Sequence, residues 1–158
     1  MNPTVKTIAW ATLVAGTLDI VSAFLWSALQ GGTPIRVLNA VASGPFGRQF
    51  SGLTGAGVGL VVHYALMTVM AAVIVIAMTR WRLLRRRAWI VGLAYGLAIY
   101  GVMYWIVLPL RWPANFPSLK PRGVASALFA HIVCVGIPMG FITARGLGRG
   151  ASAVTATA

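Results

Sequence analysis

The chain has 158 residues, of which 59% are hydrophobic and only 9% are charged, and its net charge is +12. A soluble domain carries about 25% charged residues, so this composition excludes an ordinary soluble protein and indicates an integral membrane protein. The basic residues lie between apolar runs, which argues against a nucleic-acid partner, and the single cysteine excludes an internal disulfide.

Four apolar runs are each long enough to cross a membrane, and they cover residues 5–29, 55–78, 88–110 and 124–144. A spanning helix needs roughly 20 apolar residues. Because backbone groups in lipid must find partners within the protein, these runs are expected to be helices. The sequence therefore predicts an all-α fold, a four-transmembrane-helix bundle. It forms a single integral membrane domain over residues 1–150, followed by a flexible C-terminal tail at 151–158.

A short amphipathic helix is predicted between the first and second runs. Thr33 is a good N-cap, and Pro34 fits the first helical turn. Apolar residues then recur at helical spacing until Gly44 and Pro45, which are expected to end the helix. The pattern is typical of a helix that lies in the membrane interface or enters the membrane as a re-entrant segment, although an ordinary surface helix would read the same way.

The connection between the second and third runs is strongly basic. Its five arginines are Arg80, Arg82, Arg85, Arg86 and Arg87. The positive-inside rule places this loop in the cytoplasm, and with four spans both termini are then cytoplasmic. The same arginines are expected to contact anionic lipid headgroups, so the lipid bilayer is a predicted partner.

Two prolines are expected to interrupt the later spans. Pro138 lies inside the fourth run and should bend it, because it removes one backbone donor and crowds the preceding turn. Pro109 is expected to end the third run.

Pairs of glycines spaced by four residues mark faces where helices can approach closely. The pairs are Gly55 and Gly59, Gly92 and Gly96, and Gly136 and Gly140. They would pack the four helices of one chain together, or pack the chain into a homo-oligomer or a larger membrane complex.

Three spans carry an ionisable side chain in the outer half of the membrane. Asp19 is the only acidic residue of the chain, and His63 and His131 are its only histidines. Counting along the helices at about 1.5 Å per residue places all three at about 10–15 Å from the same surface. We expect them to form a buried polar cluster in which Asp19 hydrogen-bonds to a histidine or to a backbone group.

This cluster admits several interpretations. It is a structural network that fixes the register of the helices, or a proton-responsive site in which Asp19 and a histidine share a proton. A third reading is a copper site, since nitrogen and soft sulfur ligands suit copper. Its candidate ligands, besides Asp19, are His63, His131, Met67, Met70 and Cys134.

The fourth reading is a b-type haem held by His63 and His131 as axial ligands, with Arg48 and Arg111 near its propionates. No cofactor is expected in the leading interpretation, and haem b or copper is the alternative.

Catalytic residues are not predicted, because the chain has no acidic pair, no nucleophile elbow and no phosphate-binding glycine fingerprint. The leading hypothesis is a non-enzymatic membrane protein: an accessory subunit, a sensor or a transport-related module. The rival is a redox or metal carrier that uses the two histidines.

The sequence resembles an uncharacterised family of small bacterial inner-membrane proteins with four predicted spans. The stretches that carry the resemblance are residues 16–20, 34–47, 59–64, 92–110 and 131–138. In that family an asparagine often follows the methionine of the third span, where this chain has Tyr104. The resemblance implies a bacterial inner membrane location and a shared role for Asp19, His63 and His131, but no activity.

Overall fold

The computed structural model describes the backbone of residues 2–155 and the side chains of residues 2–148. In that part of the chain the fold is all-helical, and four helices are long and apolar enough to cross a membrane. The first to fourth spans are Pro3–Ala28, Gly52–Arg80, Arg82–Arg111 and Pro121–Gly148. The predicted fold class is confirmed.

The first span buries one narrow face. Asn2 caps its start, where its side chain accepts a hydrogen bond from the Thr4 backbone N–H at 2.9 Å. The buried positions are mostly small or polar, namely Thr7, Ala11, Thr12, Ala15, Gly16, Ile20 and Ser22. The larger apolar side chains point outward, as Leu13 and Leu25 do. This helix therefore presents its small and polar face to the bundle and its large apolar face to lipid.

A connecting helix, Pro34–Phe46, follows the first span. Thr33 caps it as predicted, accepting a hydrogen bond from the backbone N–H of Arg36 at 3.3 Å. The predicted end at Gly44 and Pro45 is wrong. The helix runs through Pro45 and stops at Gly47, which has a φ of 64° and donates its N–H to the carbonyl of Ser43 at 3.0 Å. Glycine adopts this left-handed conformation without a steric penalty.

Glycines let the connecting helix lie directly against the second span. A side chain at Gly59 would collide with the backbone carbonyl of Leu38, and one at Gly55 would collide with the Asn39 side chain. The Asn39 amide also donates to the carbonyl of Gly52 at 3.1 Å. The Gly55 and Gly59 pair thus receives the connecting helix rather than another span.

The arginine loop is not an open loop but a 3-10 helix, Arg82–Arg87. Arg85 folds back so that its Nε donates to the carbonyl of Met78 at 2.7 Å. Met78 lies in the last turn of the second span, where backbone carbonyls lack partners within the helix. Arg85 therefore ends that helix, while Arg80, Arg82, Arg86 and Arg87 remain exposed.

The third and fourth spans each contain a π-helical segment followed by a proline. In the third span, Ala88–Val102 leads into the π-helix Met103–Val107, and Leu108–Arg111 contains Pro109. Pro109 was expected to end this span, but the helix continues past it to Arg111. The backbone N–H of Leu108 bonds to the carbonyl of Met103, five residues back.

The fourth span repeats this arrangement. Its segments are Pro121–Phe129, the π-helix Ala130–Gly136 and Ile137–Thr155, which contains Pro138. Here the N–H of Ile137 bonds to the carbonyl of Ile132, again five residues back. The bend expected at Pro138 stays a prediction; the wider turn lies directly before this residue. Of the predicted tail at 151–158, the last three residues lie outside the described part of the chain.

The third and fourth spans pack along a glycine seam made by Gly92, Gly96, Gly136 and Gly140. A methyl group on Gly96 would lie 2.8 Å from the Cα of Ile132, and one on Gly136 would lie 2.7 Å from the Cα of Gly96. Such distances leave no room for any side chain, so the two backbones are in direct contact.

The fourth span packs against all three of the others, the first span packs against the second and the fourth, and the third span packs chiefly on the fourth. The buried apolar core between them includes Ala15, Met67, Val75, Val135 and Met139. The polar residues discussed next lie at the interface of the first and second spans.

Candidate polar site inside the bundle

Asp19 and His63 face each other across the interface of the first and second spans. The Nδ1 atom of His63 lies 3.9 Å from Oδ2 of Asp19. The side chain of His63 is 8% exposed and that of Asp19 is 23% exposed. We expected Asp19 to hydrogen-bond to a histidine or to a backbone group, and with His63 it does not, because 3.9 Å is too long for a hydrogen bond. The two groups are instead at ion-pair distance.

The other ring nitrogen of His63 fixes its tautomer. Its Nε2 lies 2.9 Å from the backbone carbonyl of Gly16. A carbonyl oxygen can only accept, so Nε2 carries the hydrogen of this bond. In the neutral ring, Nδ1 is then unprotonated and faces Asp19. Nδ1 is therefore the position at which the site can take up a proton, and an imidazolium formed there would lie beside the carboxylate.

His131 is near this pair but does not join it by a direct contact. Its Nδ1 donates to the carbonyl of Ala127 in its own helix at 2.7 Å. It acts electrostatically on Asp19, as His63 does and ahead of it, although among the basic side chains of the described residues only His63 has a nitrogen within 4.0 Å of a carboxylate oxygen. Its ring also meets the edge of the Tyr100 ring, with centroids 6.1 Å apart. The structure thus pairs two of the three predicted residues and leaves the third at the edge of the site.

Further polar groups surround the pair. The hydroxyls of Thr17 and Tyr64 are 2.8 Å apart and link the same two spans. The ring of Tyr64 packs over Gly16, where an added methyl would lie 2.9 Å from it. Gly16 therefore contacts both residues: its carbonyl accepts a hydrogen bond from His63, and its lack of a side chain makes room for the Tyr64 ring.

The fourth span contributes Cys134, which lies against Ser22 of the first span. Ser22 donates to the carbonyl of Asp19 at 2.8 Å. Cys134 is buried in the π-helical segment, one helical turn from His131.

The methionines proposed as metal ligands lie among apolar residues. Met67 is 3% exposed and belongs to the hydrophobic core, and Met70 packs against that core. Met70 also receives a hydrogen bond at its carbonyl from the hydroxyl of Tyr95, at 2.7 Å. Within residues 2–148, no group of three or more His, Cys, Asp or Glu side chains is placed to hold a metal ion.

Of the two arginines expected near haem propionates, Arg111 has another role. Its Nε donates to the carbonyls of Ser43 and Gly44, at 3.1 and 2.7 Å. It thereby closes the C-terminal end of the connecting helix, where a cation is favoured. Arg48 is exposed.

Comparison of the chain with protein-family models, with curated proteins and with solved structures finds no match.

Proposed function

We propose that this chain is a non-enzymatic multi-pass membrane protein whose activity depends on a proton shared between Asp19 and His63. In this view it works as an accessory subunit, a sensor or a transport-related module. The observation that supports the proposal is the orientation of His63. Its Nε2 bonds to the Gly16 carbonyl, and its Nδ1 faces the only acidic side chain of the sequence at 3.9 Å.

A carboxylate inside a membrane is costly unless it is compensated, so Asp19 requires either a proton or a cation nearby. A protonated His63 supplies the cation. The other titratable groups around the pair are Tyr64 on the second span, and His131 and Cys134 on the fourth. Protonation of His63 would change the charge at a contact between two spans, which is how a proton can act on a helix arrangement.

The pH dependence of stability tests the proposal. Asp19→Asn keeps the shape of the side chain but removes its charge. We expect the difference in melting temperature between the wild-type protein and this variant to change with pH, because only the wild-type protein has the Asp19 charge that a proton on the pair would compensate. A second variant, His131→Gln, leaves the Asp19 and His63 pair in place. Because His131 also acts electrostatically on Asp19, this variant shows how much of the pH dependence belongs to it rather than to the pair. A difference between wild type and Asp19→Asn that stays constant with pH would contradict proton sharing.

An absorption spectrum and a metal analysis of the purified protein separate this proposal from the alternative of a haem b or copper carrier. The proposal predicts a colourless protein without stoichiometric copper. A Soret band, or one copper per chain, would overturn it in favour of the redox or metal carrier.

We further propose that the protein resides in the bacterial inner membrane with both termini in the cytoplasm. Support comes from the exposed arginines of the 3-10 helix, which lie at the same end of the antiparallel bundle as Lys6 and Arg145. Reporter fusions at the C-terminus and after Leu119 should report opposite sides of the membrane. A periplasmic C-terminus would reverse the orientation without affecting the polar site.

A further inference from the structure

Two clefts lie one above the other between the end of the first span and the start of the fourth. The upper cleft, of about 480 Å³, contains two basic residues, and it is lined by Gln30, Ser118, Lys120, Pro121, Arg122 and Gly123. The lower cleft, of about 80 Å³, is almost entirely apolar, and it is lined by Ser22, Leu25, Trp26, Leu29 and Phe129.

The two clefts adjoin along both helices. At the end of the first span, the side chain of Gln30 in the upper cleft donates to the carbonyl of Trp26, which lines the lower one, at 3.1 Å. On the fourth span, Arg122 of the upper cleft and Phe129 of the lower one are seven residues apart, so they lie on the same face of the helix, about 10 Å from each other along its axis. Together they form a vertical groove that begins with basic side chains at the membrane surface and descends among apolar ones.

The charges at the top of the groove have no acidic partner among the residues that the structure describes. Lys120 and Arg122 are exposed, and neither makes an ion pair in the described residues. The chain could hardly supply one, since Asp19 is its only acid and lies beside His63. The positive-inside rule does not account for these two residues either, because they lie at the opposite end of the bundle from the arginine loop. Their positive charge is therefore available to an anion from outside the chain.

The apolar half of the groove favours an anion that also carries an apolar chain. Leu25, Leu29 and Phe129 are 63%, 79% and 47% exposed, and they line a depression rather than a convex helix surface. A free phosphate would use only the basic half. A phospholipid with a negatively charged headgroup has a phosphate for Lys120 and Arg122 and an acyl chain for the apolar half.

We propose that this groove binds one anionic phospholipid, with its headgroup at Lys120 and Arg122 and an acyl chain along Leu25, Leu29 and Phe129. The inference is independent of the proton-sharing role of Asp19 and His63. It also concerns the opposite end of the bundle from the headgroup contacts expected of the arginine loop.

Native mass spectrometry of the full-length protein in detergent tests the proposal, with phosphatidylglycerol and phosphatidylcholine as probes. Wild-type protein should retain one phosphatidylglycerol and release phosphatidylcholine under the same conditions. The double variant Lys120→Gln/Arg122→Gln should retain phosphatidylglycerol about thirtyfold less well, because both headgroup charges are lost.

The matched control is Arg82→Gln/Arg86→Gln, which removes the same charge from exposed residues at the other end of the bundle and should leave this retained lipid in place. Equal losses in the two double variants would overturn the assignment to the groove, as would equal retention of the two phospholipids.

A second variant separates a phospholipid from a free phosphate. Leu29→Gln places a polar group in the exposed apolar half, where it does not disturb the core. It should weaken phosphatidylglycerol retention without creating affinity for inorganic phosphate. If millimolar inorganic phosphate displaces the lipid fully and Leu29→Gln has no effect, the groove is an anion site and the phospholipid proposal is wrong.

Discussion

In each half of the bundle two spans pack together, and the two halves use different kinds of contact. The first and second spans meet through polar groups, with Gly16, Asp19 and Thr17 on one side and His63 and Tyr64 on the other. The third and fourth spans meet through the glycine seam, where the two backbones touch. Lipid offers helices little hydrophobic driving force, so close packing and interhelical hydrogen bonds are the two means available to hold them together. This chain uses one in each half.

The two kinds of interface differ in how far the helices on either side can shift. A glycine seam has one geometry, because any shift of the helices breaks close backbone contacts that nothing else replaces. A polar interface can exist in more than one protonation state, and each state can favour its own arrangement. We therefore expect the third and fourth spans to form the rigid half, and the arrangement of the first and second spans to change with pH.

The largest effect is expected in the glycine seam. Gly96→Leu would force a side chain into the backbone of His131 and Ile132, and we expect a loss of about 3 kcal/mol or more in the free energy of unfolding. The control is Gly101→Leu on the same span, since an added methyl group there meets nothing within 4 Å. Unfolding in mixed micelles measures both. If the two variants were equally stable, the seam would not be what holds this half together.

A smaller but clear effect is expected at the polar interface. His63→Ala removes the hydrogen bond to the Gly16 carbonyl and leaves Asp19 without its partner, at a cost of about 2–3 kcal/mol. His131→Ala serves as the comparison, because the hydrogen bond of its ring stays within its own helix and no nitrogen of the ring lies within 4.0 Å of the Asp19 carboxylate, and it should cost about 1 kcal/mol. Melting curves of the two variants show which loss of stability is larger. A larger loss for His131→Ala would mean that His131, and not His63, is the main partner of Asp19.

The smallest effect is expected at the rim of this interface. Tyr64→Phe keeps the ring over Gly16 but loses the hydroxyl contact with Thr17, at a cost of about 0.5–1 kcal/mol. Tyr100→Phe is the control, because the Tyr100 hydroxyl makes no hydrogen bond among the described residues. An identical melting temperature for the two variants would show that the rim contributes no stability.

The four spans could be predicted from sequence because hydropathy and length are properties of each segment alone. The start of the connecting helix could be predicted in the same way, since Thr33 caps the first turn of its own helix. The end of that helix could not be predicted. Arg111 donates to the carbonyls of Ser43 and Gly44 from 67 or 68 residues away in the sequence, and no local sequence pattern indicates such a partner.

The candidate site could be predicted only in part, because its contacts also join residues that are distant in the sequence. Counting residues placed Asp19, His63 and His131 at a similar depth, but depth does not say which side chains meet. The partner of His63 Nε2 is the Gly16 carbonyl, and every residue carries such a group. The choice between His63 and His131 as the neighbour of Asp19 depends on how the helices rotate, and a π-helical segment in the fourth span changes that rotation.

The π-helical segment Ala130–Gly136 lets the fourth span hold one residue more than an α-helix with the same rotation would. Removing one residue from this segment would restore ordinary α-helical hydrogen bonding and leave the helix on either side facing the same neighbours. Removing one residue between Arg122 and Phe129, in the α-helical part, would instead turn Arg122 by about 100° relative to His131. The effect of a one-residue deletion in this span therefore depends on whether it falls in the π-helical or in the α-helical segment.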